Sequence, residues 1–240
     1  MSSNSFAFKK FTVHQEKCAM KVGTDAVLLG AWAKTYGVRH ALDIGTGTGV
    51  IALMLAQKCG AQIDAIDVDA DSCEEAKANV NVSEWKDRIH IHHTSLQDFS
   101  KNVDEKYELI VSNPPFFNDS LQTNEESRTK ARHTVLLPFA DLISCVKKLL
   151  HKGGKFYVIL PTKEGIQFQE LAENNGLHLR RLTRVKTTPA KMEKRLLMQF
   201  GFLAKEKLSE SELVIEKDNL NAQHYTEEYR ELTKEFYVNF

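Results

Sequence analysis

The feature that most constrains this chain is a junction. A short apolar run, His40 to Ile44, breaks directly into Gly45-Thr46-Gly47-Thr48-Gly49, and a second apolar run, Val50 to Lys58, starts at once and stops near Cys59-Gly60. The first run has the length of a buried strand and the second that of a helix, with a glycine as its stop. Gln62 to Val68 then alternates and carries β-branched residues, so it reads as a strand again. Strand, glycine turn, helix, strand is a right-handed crossover unit. It commits the chain to a parallel sheet covered by helices.

The remaining segments extend that pattern. Ala70 to Val82, Leu137 to Leu150 and Lys163 to Asn175 read as helices. Arg88 to His92, Tyr107 to Ser112 and Lys155 to Leu160 read as strands. His178 to Thr187 and Arg195 to Lys205 alternate and leave no room for a helix between them, which predicts an antiparallel hairpin at one sheet edge. The expected organisation is a single domain over residues 1–240. It has an N-terminal helical extension (about 1–37), including an amphipathic helix from Asp25 to Trp32, and an acidic C-terminal tail (about 208–240). With 42% hydrophobic and 27% charged residues, the bulk of the chain is neither disordered nor collagen-like. The longest apolar stretch, Val50 to Ala56, is too short for a bilayer, and MSSNSFAFKKF lacks a signal-peptide core, so a cytoplasmic protein is expected. Cys18, Cys59, Cys73 and Cys145 are widely spaced and form no CxxC, which argues against a zinc or disulfide framework. The histidines of HIHH (His90, His92, His93) lie on a strand away from any Cys or carboxylate set and are expected to be structural or surface groups, so no metal is expected.

The junction also carries chemistry. Asp43 precedes the glycines, giving D-x-G-x-G-x-G. A nicotinamide loop requires a small residue where Val50 stands, and the phosphate-binding G-x-x-x-x-G-K-[ST] pattern is absent. S-adenosylmethionine has no pyrophosphate and needs bare backbone past which an amino-acid tail and a ribose fit, which this spacing provides. Asp43, Gly45 and Gly47 are the loop candidates. Asp67, at the end of the second strand, is placed to accept hydrogen bonds from ribose hydroxyls, with Asp69 as the competitor that can instead cap the following helix. Asp98 is a candidate for the adenine amino group, against the alternative of a solvated loop carboxylate.

Asn113-Pro114-Pro115-Phe116 follows the fourth strand, at the end of the sheet where open α/β folds bind ligands. The prolines end the ladder and fix the chain direction. An exocyclic amine on adenine, or a carboxamide nitrogen, is a poor nucleophile because its lone pair is delocalised. Two acceptors on its N–H groups, Asn113 Oδ1 and the Pro114 carbonyl, can hold it pyramidal. Phe116, or Phe117, offers a face on which a planar base stacks.

DIGTGTG together with NPPF resembles the amino-methyltransferases of the S-adenosylmethionine-dependent seven-stranded class. That likeness implies a Rossmann-like α/β sheet in the order 3-2-1-4-5-7-6 with strand 7 antiparallel. The block FKKFTVHQEKCAMKVGTDAVLLGAW (Phe8 to Trp32), NPPFF, Arg128 with ARHT and the C-terminal YTEEYRELTKEFY narrow the resemblance to the bacterial tRNA1(Val) (adenine(37)-N6)-methyltransferases, nearly end to end. The resemblance implies methyl transfer from S-adenosylmethionine to N6 of adenine 37 in a tRNA anticodon loop. It also implies that the stretch around Lys21 to Asp25, with Lys21 and Thr24 among its residues, helps close the cofactor pocket.

The formal net charge is zero, which excludes a wholly basic nucleic-acid binder, but the zero is not uniform. From His178 to Lys207 nine bases face two acids, a net of +7, and from Leu208 to Phe240 three bases face eight acids, a net of −5. With Arg128, Lys130 and Arg132 beside NPPFF, the basic edge predicts a phosphate-tracking surface and tRNA as partner. No membrane partner is expected, and a monomer is preferred. Two other functions compete. A glutamine-amide methyltransferase acting on a release factor also uses NPP plus an aromatic, but only 42 residues precede Asp43 here, too few for the helical substrate domain of those enzymes. A non-catalytic RNA-binding module would not need Asp43, Gly45, Gly47, Asp67 and Asn113 intact.

Overall fold

The computed structural model describes residues 4–18, 20–115, 138–204, 206–217 and 225–239. The elements that frame the site come first. Strand β3 (His40–Ile44) leads through the glycines into α2 (Val50–Lys58), then β4 (Gln62–Asp67), α3 (Ala70–Asn81), β5 (Ile89–His93), α4 (Leu96–Asn102) and β6 (Tyr107–Ser112). After these come α5 (Phe139–Leu149), β7 (Leu150–Pro161), α6 (Thr162–Asn174), β8 (His178–Lys186), β9 (Glu193–Gly201), β10 (Ser209–Val214) and α7 (Glu227–Thr233). Ahead of them lie β1 (Ser5–Ala7), β2 (Thr12–His14) and α1 (Thr24–Trp32).

The large sheet runs β10-β8-β9-β7-β6-β3-β4-β5. From β5 to β8 the succession is 3-2-1-4-5-7-6, and β9 is antiparallel to both β7 and β8, as the resemblance implies. Strand side chains alternate between two cores. Ala41, Leu109 and Val111 face α1, α2 and α3, while Leu42, Ile44 and Ile110 face α4, α5 and α6. Helix α2 is buried along Val50–Ala56, which explains an apolar run without a polar face. Where α1 crosses it, a Cβ on Gly30 would lie 2.7 Å from Met54 Sδ and 3.1 Å from Met54 Cβ, so a larger residue there would make Met54 move.

Two expectations are corrected. The sheet has eight strands rather than seven, because the acidic segment 209–214 pairs in parallel with β8 from Ser209↔Arg181 to Val214↔Lys186. Only Leu213 is buried in that strand, so it carries no apolar alternation to read. It is held by its six-residue ladder, the Thr183–Ser211 hydroxyl bond at 2.7 Å and buried Leu213, with Glu212 2.8 Å from Lys186 and Glu210 3.5 Å from Arg184 at its exposed face. The N-terminal extension is not wholly helical either. Ser5–Ala7 and Thr12–His14 form an antiparallel hairpin before α1, with Phe8, Phe11 and Val13 buried and Phe6 partly so. Alternating aromatic and β-branched residues favour a strand, and that local period outweighed the helical reading.

Candidate active site

Asp43 is fully buried in β3, one residue before the turn. Its Oδ2 accepts from the Thr46 hydroxyl at 2.7 Å, whereas Oδ1 is buried with no partner among the described residues. Burial pushes its pKa up to about 7 and the nearby Asp67 charge adds to the rise, while the Thr46 hydrogen bond and, more weakly, the Ala52 backbone N–H facing the carboxyl oppose it. The loop turns on positive φ at Gly45 (73°), Gly47 (54°) and Gly49 (82°), a conformation that side chains strain. A Cβ at Gly45 would meet nothing within 4 Å, so that stretch of backbone lies open.

Asp67 closes β4 and reaches across the turn. Its Oδ2 accepts from the Gly47 N–H at 2.8 Å and its Oδ1 from the Asp69 N–H at 3.0 Å. A carboxylate has about four lone-pair sites, so two are left for a ligand hydroxyl pair. Asp69 caps α3 instead, accepting from Ser72 N at 2.8 Å and Ser72 Oγ at 2.6 Å. At the end of β6 the Ser112 hydroxyl donates to the Ile44 carbonyl at 3.0 Å, tying the two central strands together beside the loop. Asn113 follows. Its Oδ1 is buried without a partner among the described residues, and Pro114 is buried behind it.

Strand pairing therefore brings Asp43, Gly45, Gly47, Asp67 and Asn113 to one end of the central strands, with two buried acceptors unpaired among the described residues. Other expected residues fall elsewhere. Asp98 sits in the first turn of α4 with its side chain 62% exposed, accepting from Ser95 Oγ at 2.8 Å and Lys101 Nζ at 3.0 Å. No described hydrogen bond links it to the loop. Lys21 is exposed, and Thr24 lines a different cleft. Phe116 and Phe117, like Arg128, Lys130 and Arg132, lie outside the described residues. The HIHH histidines are tied to β4 and its end: His92 lies 2.6 Å from Asp64 Oδ1, His93 3.0 Å from the Val68 carbonyl and His90 3.4 Å from Gln62.

Sequence reading missed the clamp that holds the N-terminal strap over the loop. Glu75, buried in α3, accepts backbone N–H bonds from Glu16 (2.5 Å), Lys17 (3.0 Å) and Cys18 (2.8 Å). Asn79 exchanges two hydrogen bonds with the His14 backbone and donates to the Thr48 carbonyl. Cys18 Sγ is thereby brought beside Gly47, 3.6 Å from where a Cβ would stand. The signal was available: Ser72, Glu75 and Asn79 form a polar stripe at helical spacing on a face that is buried.

The basic edge is also smaller than the charge count implied. Arg184 pairs with Glu193 and Glu210, Lys186 with Glu212, and Arg195 Nε donates to Asp25 Oδ2 at 2.8 Å. Arg181 lies 4.0 Å over the Trp32 ring. Lys191 and Lys194 remain exposed and form no ion pair among the described residues.

Comparison with known proteins adds an independent line. The methyltransferase small domain family matches residues 20–178. A tRNA1(Val) (adenine(37)-N6)-methyltransferase of Phocaeicola vulgatus is 47% identical over 240 residues, covering all of both chains. One from Flavobacterium johnsoniae is 45% identical, covering 97% of this chain and 99% of its own. Among solved structures, a predicted O-methyltransferase from Agrobacterium tumefaciens superposes with a TM-score of 0.67 at 17% identity, covering 88% of this chain and 96% of that one. A glycopeptide N-methyltransferase complexed with S-adenosyl-L-methionine superposes at 0.56 and 12% identity, covering 78% and 96%. At these identities the structural matches show the fold alone. The full-length relatives and the small-domain match show that this chain belongs to the family of the tRNA1(Val) (adenine(37)-N6)-methyltransferases.

Proposed function

We propose that the protein transfers a methyl group from S-adenosylmethionine to N6 of adenine 37 in the anticodon loop of tRNA1(Val). The observation that carries this reading is the pair of buried acceptors without a partner among the described residues, Asp43 Oδ1 and Asn113 Oδ1, at the same end of the sheet as an open glycine loop. Buried acceptors without donors cost about 1–3 kcal/mol each, and a ligand that supplies the donors relieves that cost.

The residues present fit the cofactor. Gly45 and Gly47 expose backbone to its amino-acid tail, Asp43 Oδ1 can accept from its ammonium, and Asp67 retains lone pairs for its ribose. When bound, S-adenosylmethionine supplies the electrophilic methyl. Asn113 Oδ1 and the Pro114 carbonyl accept the two N–H bonds of the adenine amine, which keeps its nitrogen pyramidal and its lone pair directed. Pro115 holds that carbonyl in place. No strong base is required, since the nitrogen releases its proton readily once alkylated. Positioning then supplies much of the rate. Lys21, Thr24 and Asp98 remain candidate cofactor contacts, and Phe116 the candidate stacking face. A loop base is already unpaired, so extruding it costs less than from a duplex.

The test is to incubate the protein with bulk tRNA and labelled S-adenosylmethionine, then analyse the nucleosides by mass. N6-methyladenosine is expected. Label in a protein glutamine amide, with none in tRNA, would overturn the substrate assignment, and no transfer at all despite cofactor binding would overturn the activity.

A further inference from the structure

A cleft of about 640 Å³ opens between the hairpin, the first turn of α1, the ends of β8 and β10, and α7. Its lining includes none of Asp43, Gly45, Gly47, Asp67 or Asn113, although it does include Thr24, a candidate cofactor contact. It nevertheless lies at the same end of the sheet. Strand β9 is antiparallel to β7, and β8 and β10 run with β7 and β6. The C-terminal ends of β8 and β10 and the start of β9 therefore share the end that carries Asn113. Arg195 stands opposite Pro161 of β7, two strands from β6. That is about 10 Å at ordinary strand spacing, whereas Tyr225, bridged to Glu216 just past the end of β10, lies four strands from β6, about 19 Å.

The lining has a distinct chemistry. Phe6, Tyr237, Tyr229 and Tyr225 form one aromatic wall, with successive ring centroids 6.0, 6.4 and 5.2 Å apart. Phe6, Tyr225 and Tyr237 are partly exposed, whereas Tyr229 is buried at the floor with Leu28 and Val185. Lys194 and Glu216 also line the cleft, as does the Arg195–Asp25 ion pair, so its charge is mixed and Lys194 is the lining cation with no ion pair among the described residues. Flat aromatic faces suit a planar base, and Lys194 suits a phosphate beside it. The volume suits a nucleoside-sized ligand and excludes a duplex.

We infer that this cleft holds a second unpaired base of the RNA, from the same loop as the methylated adenine but not directly adjoining it, with the base against the aromatic wall and Lys194 on a nearby phosphate. The inference rests on the proposed anticodon-loop activity and extends it, because it assigns recognition of another loop nucleotide to the hairpin and the C-terminal segment. These elements would otherwise serve only to pack the domain.

The experiment uses anticodon stem-loop RNAs carrying a single abasic residue at each unpaired loop position other than the target adenine. KM for RNA is measured with the parent, with Tyr225→Ala, and with Ala7→Asp, which places a carboxylate at an exposed rim position. Melting curves check that both variants are folded. Both should raise KM for the intact RNA by about 5- to 150-fold, the range for one lost base stack, with S-adenosylmethionine affinity unchanged. One abasic position should raise KM in the parent to a similar degree and add nothing in Tyr225→Ala. Folded variants with the parent's KM, or abasic effects that are the same in parent and variant, would overturn the inference. Methylation by the parent alongside such a result would leave the proposed activity standing, whereas no methylation by any of the proteins would point instead to that activity. Tight binding of free adenosine monophosphate that does not compete with the stem-loop would show a small-molecule site instead.

Discussion

Asp43→Asn in the ligand-free protein should show that the loop carboxylate is held at a cost. Burial raises its pKa from 3.8 to about 7. Below pH 3.8 the group is protonated whether folded or unfolded and costs nothing. Between the two values the unfolded chain has released its proton while the folded one still holds it, so stability falls as pH rises. Above about 7 the full penalty is present, about 4 kcal/mol for a shift of some three units. Between pH 5 and pH 8 this group alone should remove about 2–3 kcal/mol. Asparagine preserves shape and has no charge to bury, although it weakens the bond from Thr46 by about 1 kcal/mol. Urea unfolding of parent and variant at pH 5, 6, 7 and 8 gives the difference directly, and subtraction removes titrations common to both. The variant should gain on the parent by about 2–3 kcal/mol across that range. A difference that stays constant with pH would refute the reasoning.

Four further outcomes are expected. Asp67→Ala removes both the anchor of Gly47 and the ribose acceptor, so calorimetry should show S-adenosylmethionine binding weakened by about 1.5–3 kcal/mol; an unchanged affinity contradicts the role. Glu75→Gln replaces one acceptor oxygen by a donor facing strap N–H groups, so cofactor affinity should fall several-fold while the fold persists; if affinity holds, the strap does not form the pocket. Asn113→Ala should lower kcat by about 100- to 1,000-fold, the scale of one preorganised transition-state hydrogen bond, with cofactor affinity nearly intact; turnover within a few-fold of the parent removes Asn113 from the chemistry. Replacing Lys191 and Lys194 together by Ala should weaken cognate and non-cognate tRNA alike and make the salt slope shallower by about 0.7–0.9 per lost phosphate contact; an unaltered slope means that these lysines only solvate the edge.

The parallel sheet was legible because its strands are buried on both faces and read as apolar runs, and because glycine, proline and Gly-Gly punctuate them. The loop chemistry was legible because Asp43, the three glycines and Asn113-Pro114 sit at fixed offsets from strand ends. The eighth strand was not, because 209–214 is an edge strand joined by its backbone ladder, with ion pairs to Arg184 and Lys186 and Leu213 as its single buried residue, so it has no apolar face to read. Counting charges along the chain failed at the same place. The basic edge and the acidic tail neutralise each other across a strand pair that only tertiary structure reveals. The Glu75 clamp escaped because its partners are backbone N–H groups some 57 to 59 residues away, so the polar stripe of Ser72, Glu75 and Asn79 marks a helix face without revealing what it holds.

The central claim is that Asn113 and the glycine loop serve one adenine of one tRNA. It is tested most directly by reacting purified unmodified tRNA1(Val) with the protein and S-adenosylmethionine, digesting the product, and sequencing the fragments by mass spectrometry. The account predicts a single added methyl, on N6 of adenine 37 in the anticodon-loop fragment, and none when that adenine is replaced by guanine. A methyl on another nucleotide, on a ring nitrogen or on a ribose hydroxyl would contradict it.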